Sequence, residues 1–148
     1  MTDASLTETE IADLRGLAGM IVPPSARYGV PGADDDIVFA DIVASVGRDA
    51  DAVRAALARL RTLAGGPFAA LDVARRAEVA ATLRADGSVA VGVLSRIVLL
   101  CYYRDDRVME SLGLEARPPF PKGHEVEQGD WSLLEPVRAR KPFWRPVS

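Results

Sequence analysis

The residues best equipped for chemistry are few. They are one cysteine, Cys101, one histidine, His124, the triplet Asp34-Asp35-Asp36, and the polar run Tyr102-Tyr103-Arg104-Asp105-Asp106-Arg107. A reactive thiolate needs an electropositive, partly open setting. Cys101 instead falls on the most apolar run of the chain, so an inert core thiol is expected. His124 follows Pro121-Lys122-Gly123 and stands beside Glu125 and Glu127. An imidazole among carboxylates can act as a general base, but no nucleophile or second ligand lies at a readable spacing. The plainer reading is a surface or hydrogen-bonded histidine. Three aspartates in a row suggest a cation site, yet no fourth carboxylate or glycine follows at calcium-loop spacing. Their place ahead of an apolar helical run suits the positive end of a helix dipole. The tyrosine–arginine run reads in two ways. Locally, Asp105 or Asp106 caps a short helix while the arginines pair with acidic neighbours. Functionally, tyrosine and arginine are favoured at the energetic centres of protein interfaces.

Composition narrows the chemistry further. One cysteine and one histidine allow neither an internal disulfide nor a four-ligand zinc site, and CxxCH is missing. A net charge of −3 argues against a binder that works by neutralising phosphates. No GxGxxG, Walker, HExxH or GxSxG pattern occurs. Hydrophobic residues form 49% of the 148, enough for one domain with a core rather than a disordered polymer. The acidic start MTDASLTETE shows no secretory or twin-arginine signal, so a cytoplasmic protein is expected.

The elements that must hold these residues are helices. Thr7 and Glu10 spell a capping box flanked by Leu6 and Ile11. Ile11, Leu14, Leu17, Ala18 and Ile21 form one face of a first helix, which Pro23-Pro24 ends. A loop over 25–33 leads to a second helix that starts at the aspartate triplet and stops at Gly47. Asp49 or Asp51 caps a third, with Val53, Ala56, Leu57, Leu60 and Leu63 inward and Arg54, Arg59 and Arg61 on a solvated face. Gly65-Gly66-Pro67 is a turn, since neither a strand nor a following GK[ST] marks a phosphate loop. Asp72 caps a fourth helix with Ala74, Val79, Ala80 and Leu83 inside. After the Asp86-Gly87 turn, Ser88 opens a fifth helix.

Residues 89–113 organise the rest. Val93, Ile97, Leu100 and Cys101 make one apolar stripe, and Leu94, Val98 and Tyr102 a neighbouring one. A helix apolar over most of its circumference belongs at the centre of a bundle. Its apolar half is about 15 residues and contains Arg96, too short for a membrane span of roughly 20. A break near Asp105 starts a short sixth helix, stopped by Gly113. The expected class is all-α: a compact bundle of about five main helices over residues 1–113, followed by a long extended tail over 114–148. That tail interleaves prolines with Phe120, Trp131, Phe143 and Trp144, with only a turn expected around 131–134. Large aromatics are costly to leave in water and proline-rich chain loses little entropy on docking, so the tail must lie on its own domain or on a partner.

Three segments carry a resemblance. They are Met20-Ile21-Val22-Pro23 with Val30-Pro31-Gly32-Ala33 and the acidic helix start, the run from Tyr102 to Val108 closing on Leu112-Gly113, and the stretch from Pro118 to His124. Together, over residues 14–124, the chain resembles the gluconate 2-dehydrogenase subunit 3 family. These are small subunits of bacterial flavin-dependent sugar and alcohol dehydrogenases. The middle helices match in pattern only. The resemblance implies a non-catalytic subunit with no cofactor of its own. FAD and the catalytic residues would lie in a large partner of the glucose–methanol–choline (GMC) oxidoreductase type, and some systems add a cytochrome subunit. Many such small subunits carry a twin-arginine signal, which is not visible here.

The function expected is therefore a small subunit that binds and stabilises an FAD-dependent GMC-type oxidoreductase. The expected contact residues are Tyr102, Tyr103, Asp106, Arg107, Phe120, Pro121, His124, Trp131, Phe143 and Trp144. No catalytic, cofactor-binding or metal residue is assigned. The rivals are a regulatory helical adaptor and an independent small helical enzyme using His124.

Overall fold

The computed structural model describes residues 6–118, 120, 122, 123 and 125–141. Helix accounts for 65% of the described residues and no strand forms among them, which is an all-α architecture. Seven α-helices occur there, five of them ten residues or longer: α1 (Glu8–Ile21), α2 (Asp36–Ser45), α3 (Ala50–Ala64), α4 (Val73–Ala85) and α5 (Val89–Tyr102). Two short ones follow, α6 (Asp106–Ser111) and α7 (Glu135–Arg138). The chain divides into two compact units, Met1–Ala116 and Arg117–Ser148.

Most helix boundaries follow from local side-chain chemistry. At the start of α1, the Thr7 hydroxyl accepts the Glu10 N–H and the Glu10 carboxylate accepts the Thr7 N–H. Asp35, Asp72, Ser88 and Asp105 each accept a backbone N–H at the starts of α2, α4, α5 and α6. These bonds satisfy donors that a helix start otherwise leaves open. Gly113 ends the α6 region at φ 74°, the left-handed conformation that glycine adopts without penalty. The exception is α3. A 3₁₀ turn, Gly47–Asp49, runs into it, and Asp49 makes no side-chain cap. Asp49 Oδ2 instead accepts Arg96 Nη2 of α5 at 2.9 Å.

In the first unit α3 lies against α4 and α5, α2 lies against α5, and α1 crosses α3, α4 and the 3₁₀ turn Phe68–Ala70. The core between them includes Leu14, Ile42, Leu57, Leu60, Phe68 and Val98. The loop between α1 and α2 doubles back, with Ser25 and Val30 exchanging backbone hydrogen bonds. Gly32 sits where a Cβ would fall 2.9 Å from Pro24 Cδ and 3.0 Å from Pro24 N, so only glycine lets the two chain segments approach there.

Three expectations need correction. Helix α5 is not enclosed on most sides. Leu94, Ile97, Val98, Cys101 and Tyr102 are buried, but Val89, Leu99 and Leu100 are exposed. Among the described residues of the first unit, neighbours cover one side of α5, and a single-sided contact buries one broad stripe of a helix. Ala74 is exposed rather than inside α4. Arg61 does not belong to a solvated face: its Nε donates to Asp13 Oδ2 at 2.6 Å. Asp13 is fully buried, and its Oδ1 accepts the Ala69 N–H at 3.0 Å. This carboxylate ties α1 to α3 and to the Phe68–Ala70 turn.

In the second unit, Asp130 caps the 3₁₀ turn Trp131–Leu134, and α7 continues from it for one turn. Arg117 Nη2 donates to the Gly123 carbonyl at 2.7 Å. No single helix among the described residues is long and apolar enough to cross a membrane.

Candidate functional site

The tyrosine–arginine run occupies the corner between α5 and α6. Helix α5 ends at Tyr102, and Asp105 begins α6 by accepting the Arg107 N–H at 3.0 Å. The corner places two guanidinium groups over α2. Arg104 forks onto both carboxylate oxygens of Asp41 and reaches Ser45 Oγ at 2.7 Å. Arg107 Nη2 bonds Asp35 Oδ1 at 2.7 Å and Asp105 Oδ2 at 2.9 Å. Asp35 and Asp105 are themselves the caps of α2 and α6. One arginine therefore joins two helix N-termini, and planar bidentate pairing fixes their relative orientation.

The electrostatics follow from this pairing. The Arg107 guanidinium holds the Asp35 and Asp105 carboxyls below the usual carboxylate range, and Arg104 does the same for Asp41. Their ionised forms are thus favoured in the fold. Burial pushes the Cys101 thiol up, despite Arg104 Nη2 at 3.6 Å from its sulfur. A thiol held protonated in the core is a poor nucleophile. Burial likewise raises the Tyr102 hydroxyl. A shallow hollow of about 470 Å³ lies over the corner, lined by Ile37, Asp41, Cys101, Arg104, Asp106 and Arg107 among others. Of its charged groups, Asp41, Arg104, Asp105 and Arg107 are engaged in ion pairs within the corner.

The expected contact residues scatter differently. Tyr102 is buried, with its ring edge-on to Tyr103 at 5.3 Å between centroids, while Tyr103 and Asp106 are exposed. Arg107 is about 41% exposed but engaged by two carboxylates. Phe120 and Trp131, in the second unit, are exposed. Pro121, His124, Phe143 and Trp144 lie outside the described residues. The aspartate triplet splits its tasks. Asp35 caps α2, Asp36 pairs with Arg15, and the Asp34 carbonyl accepts Arg15 Nε at 3.0 Å. Among the described residues no three histidine, cysteine or carboxylate side chains are grouped to hold a metal ion.

A second surface went unread in the sequence. Along the open side of α5 run Leu99, Leu100 and Tyr103, at 39%, 57% and 55% exposure. They border two adjoining grooves, one of about 530 Å³ between α1, α4 and α5, the other of about 610 Å³ on the outer side of α5. The signal was present as surplus apolar residues on α5, more than one buried stripe requires.

Comparison with known proteins adds no assignment: no family model, no curated protein and no solved structure matches this chain.

Proposed function

We propose that this chain is a non-catalytic small subunit that binds and stabilises an FAD-dependent oxidoreductase of the GMC type in the cytoplasm. The observation that carries the reading is the contrast between its two surfaces. The charged groups at the α5–α6 corner are bonded to one another and serve to lock α2 onto α5 and α6. The open side of α5 exposes Leu99, Leu100 and Tyr103 together. Contiguous exposed apolar and aromatic side chains suit a docking face, which gains by excluding water, better than a site for turnover. The likeness of the 20–33, 102–113 and 118–124 segments to small subunits of flavin-dependent dehydrogenases supplies the class of partner. The flavin would reside in that partner, and its substrate would be a sugar or alcohol.

The test is affinity purification of the tagged full-length chain from its native cells, followed by an absorbance spectrum of the eluate. A much larger co-purifying protein with flavin bands in the near-ultraviolet and blue is the expected result. A colourless eluate holding only the well-folded chain would overturn the reading.

A further inference from the structure

The two grooves beside α5 adjoin along Ser95 and Leu99, which line both. Their walls are small or apolar: Ala77, Ala80 and Ala81 from α4, and Leu99, Leu100 and Tyr103 from α5. The ionisable side chains lining them are Arg84, Arg96 and Arg104, with Tyr103 the remaining titratable group and no carboxylate present. This cationic rim stands on a chain whose net charge is −3. Arg104 is paired with both carboxylate oxygens of Asp41, while Arg96 makes one bond to Asp49. Arg84 makes no ion pair among the described residues.

Gly92 adds an independent observation. It lies inside α5 and is exposed, and a Cβ placed on it would meet nothing within 4 Å. Its backbone is helical and would accept alanine, which favours a helix more than glycine does. Nothing within the described chain uses the missing side chain. A backbone approaching from outside would, because a glycine lets two helices come closer than a side chain allows. From Gly92 to Tyr103 the face runs about 16 Å, or three helical turns.

We infer that this groove receives an amphipathic helix of about three turns from the large flavoprotein subunit, apolar on its docked side and edged with carboxylates. The assignment rests on the function proposed above. Carboxylates on the helix would meet Arg84 and Arg96, and its backbone would cross α5 at Gly92. A second copy of this chain fits less well, because a two-fold pairing would bring two cationic rims together. An anionic membrane would meet the charge but would gain nothing from a bare Cα at Gly92.

The test compares the full-length wild-type chain with G92L and R84E, using the flavoprotein recovered with the wild type as the probe. G92L fills the crossing point with a good helix former, and R84E reverses an exposed charge. Both should keep the wild-type circular dichroism spectrum and a melting midpoint at or near that of the wild type. Each is expected to bind the flavoprotein at least tenfold more weakly, and for R84E the salt dependence should reverse or vanish. Binding unchanged in both variants would overturn the groove assignment and leave the subunit reading intact. A wild-type chain that captures no flavoprotein would overturn the subunit reading, and the helix assignment with it. Self-association, or co-sedimentation with phosphatidylglycerol vesicles, abolished by G92L would also overturn the assignment, in favour of a second copy or a membrane.

Discussion

At the residue scale the most consequential side chain is Asp13. A carboxylate with no solvent access is tolerable only when its oxygens are bonded, and here Arg61 and the Ala69 N–H bond them. Removing it leaves a half-buried guanidinium and a backbone donor without their partner. Asp13→Ala is expected to cost about 2–4 kcal/mol, read as a lower urea midpoint at unchanged slope. Arg107 acts differently, through protons. The folded-state pKa values of Asp35 and Asp105 lie below their ordinary values because Arg107 favours the anions. The stability they contribute is therefore complete above the ordinary carboxylate range near pH 4 and lost as pH falls through it toward the folded values. Arg107→Met should lower stability by about 1–2 kcal/mol at pH 7, a modest figure because the guanidinium is partly solvated. It should also flatten the acid limb of a stability–pH curve. An acid limb as steep as the wild type's would show that other carboxylates set it.

At the scale of elements, α2 is the helix most dependent on distant partners. It has ten residues, too few to be stable alone. Val38, Phe39 and Ile42 bury its inner face, and Arg104 and Arg107 clamp its polar side. Arg104→Met keeps the side-chain stem and removes the fork. Faster amide exchange confined to α2 and the α5–α6 corner is expected, with α3 and α4 protected as before. Uniform loss of protection would mean instead that the clamp supports the whole core. The caps were legible from sequence because a cap is a contract within four residues. Thr7 with Glu10, Asp72, Ser88 and Asp105 all show it. Asp49 departs from this pattern because Arg96 of α5, far along the chain, competes for its carboxylate.

For the whole molecule, a partner that binds only the folded chain must stabilise it. With the flavoprotein at about 100 times its dissociation constant the linkage amounts to roughly 2.7 kcal/mol. A corresponding rise in the melting midpoint of this chain is expected on mixing, and no rise would mean no complex. The amino-acid sequence by itself determined the helical class, the starts of α1, α2, α4, α5 and α6, and the core faces of α1 and α3. Each of these depends on periodicity or on contacts a few residues apart. Only the tertiary structure decided that Arg61 serves the buried Asp13, that Arg104 and Arg107 reach back to α2, and that one side of α5 stays open. Those outcomes depend on which helices meet. A stripe of leucines reads the same whether or not a neighbour arrives to cover it, and an arginine carries no mark of the carboxylate it will find.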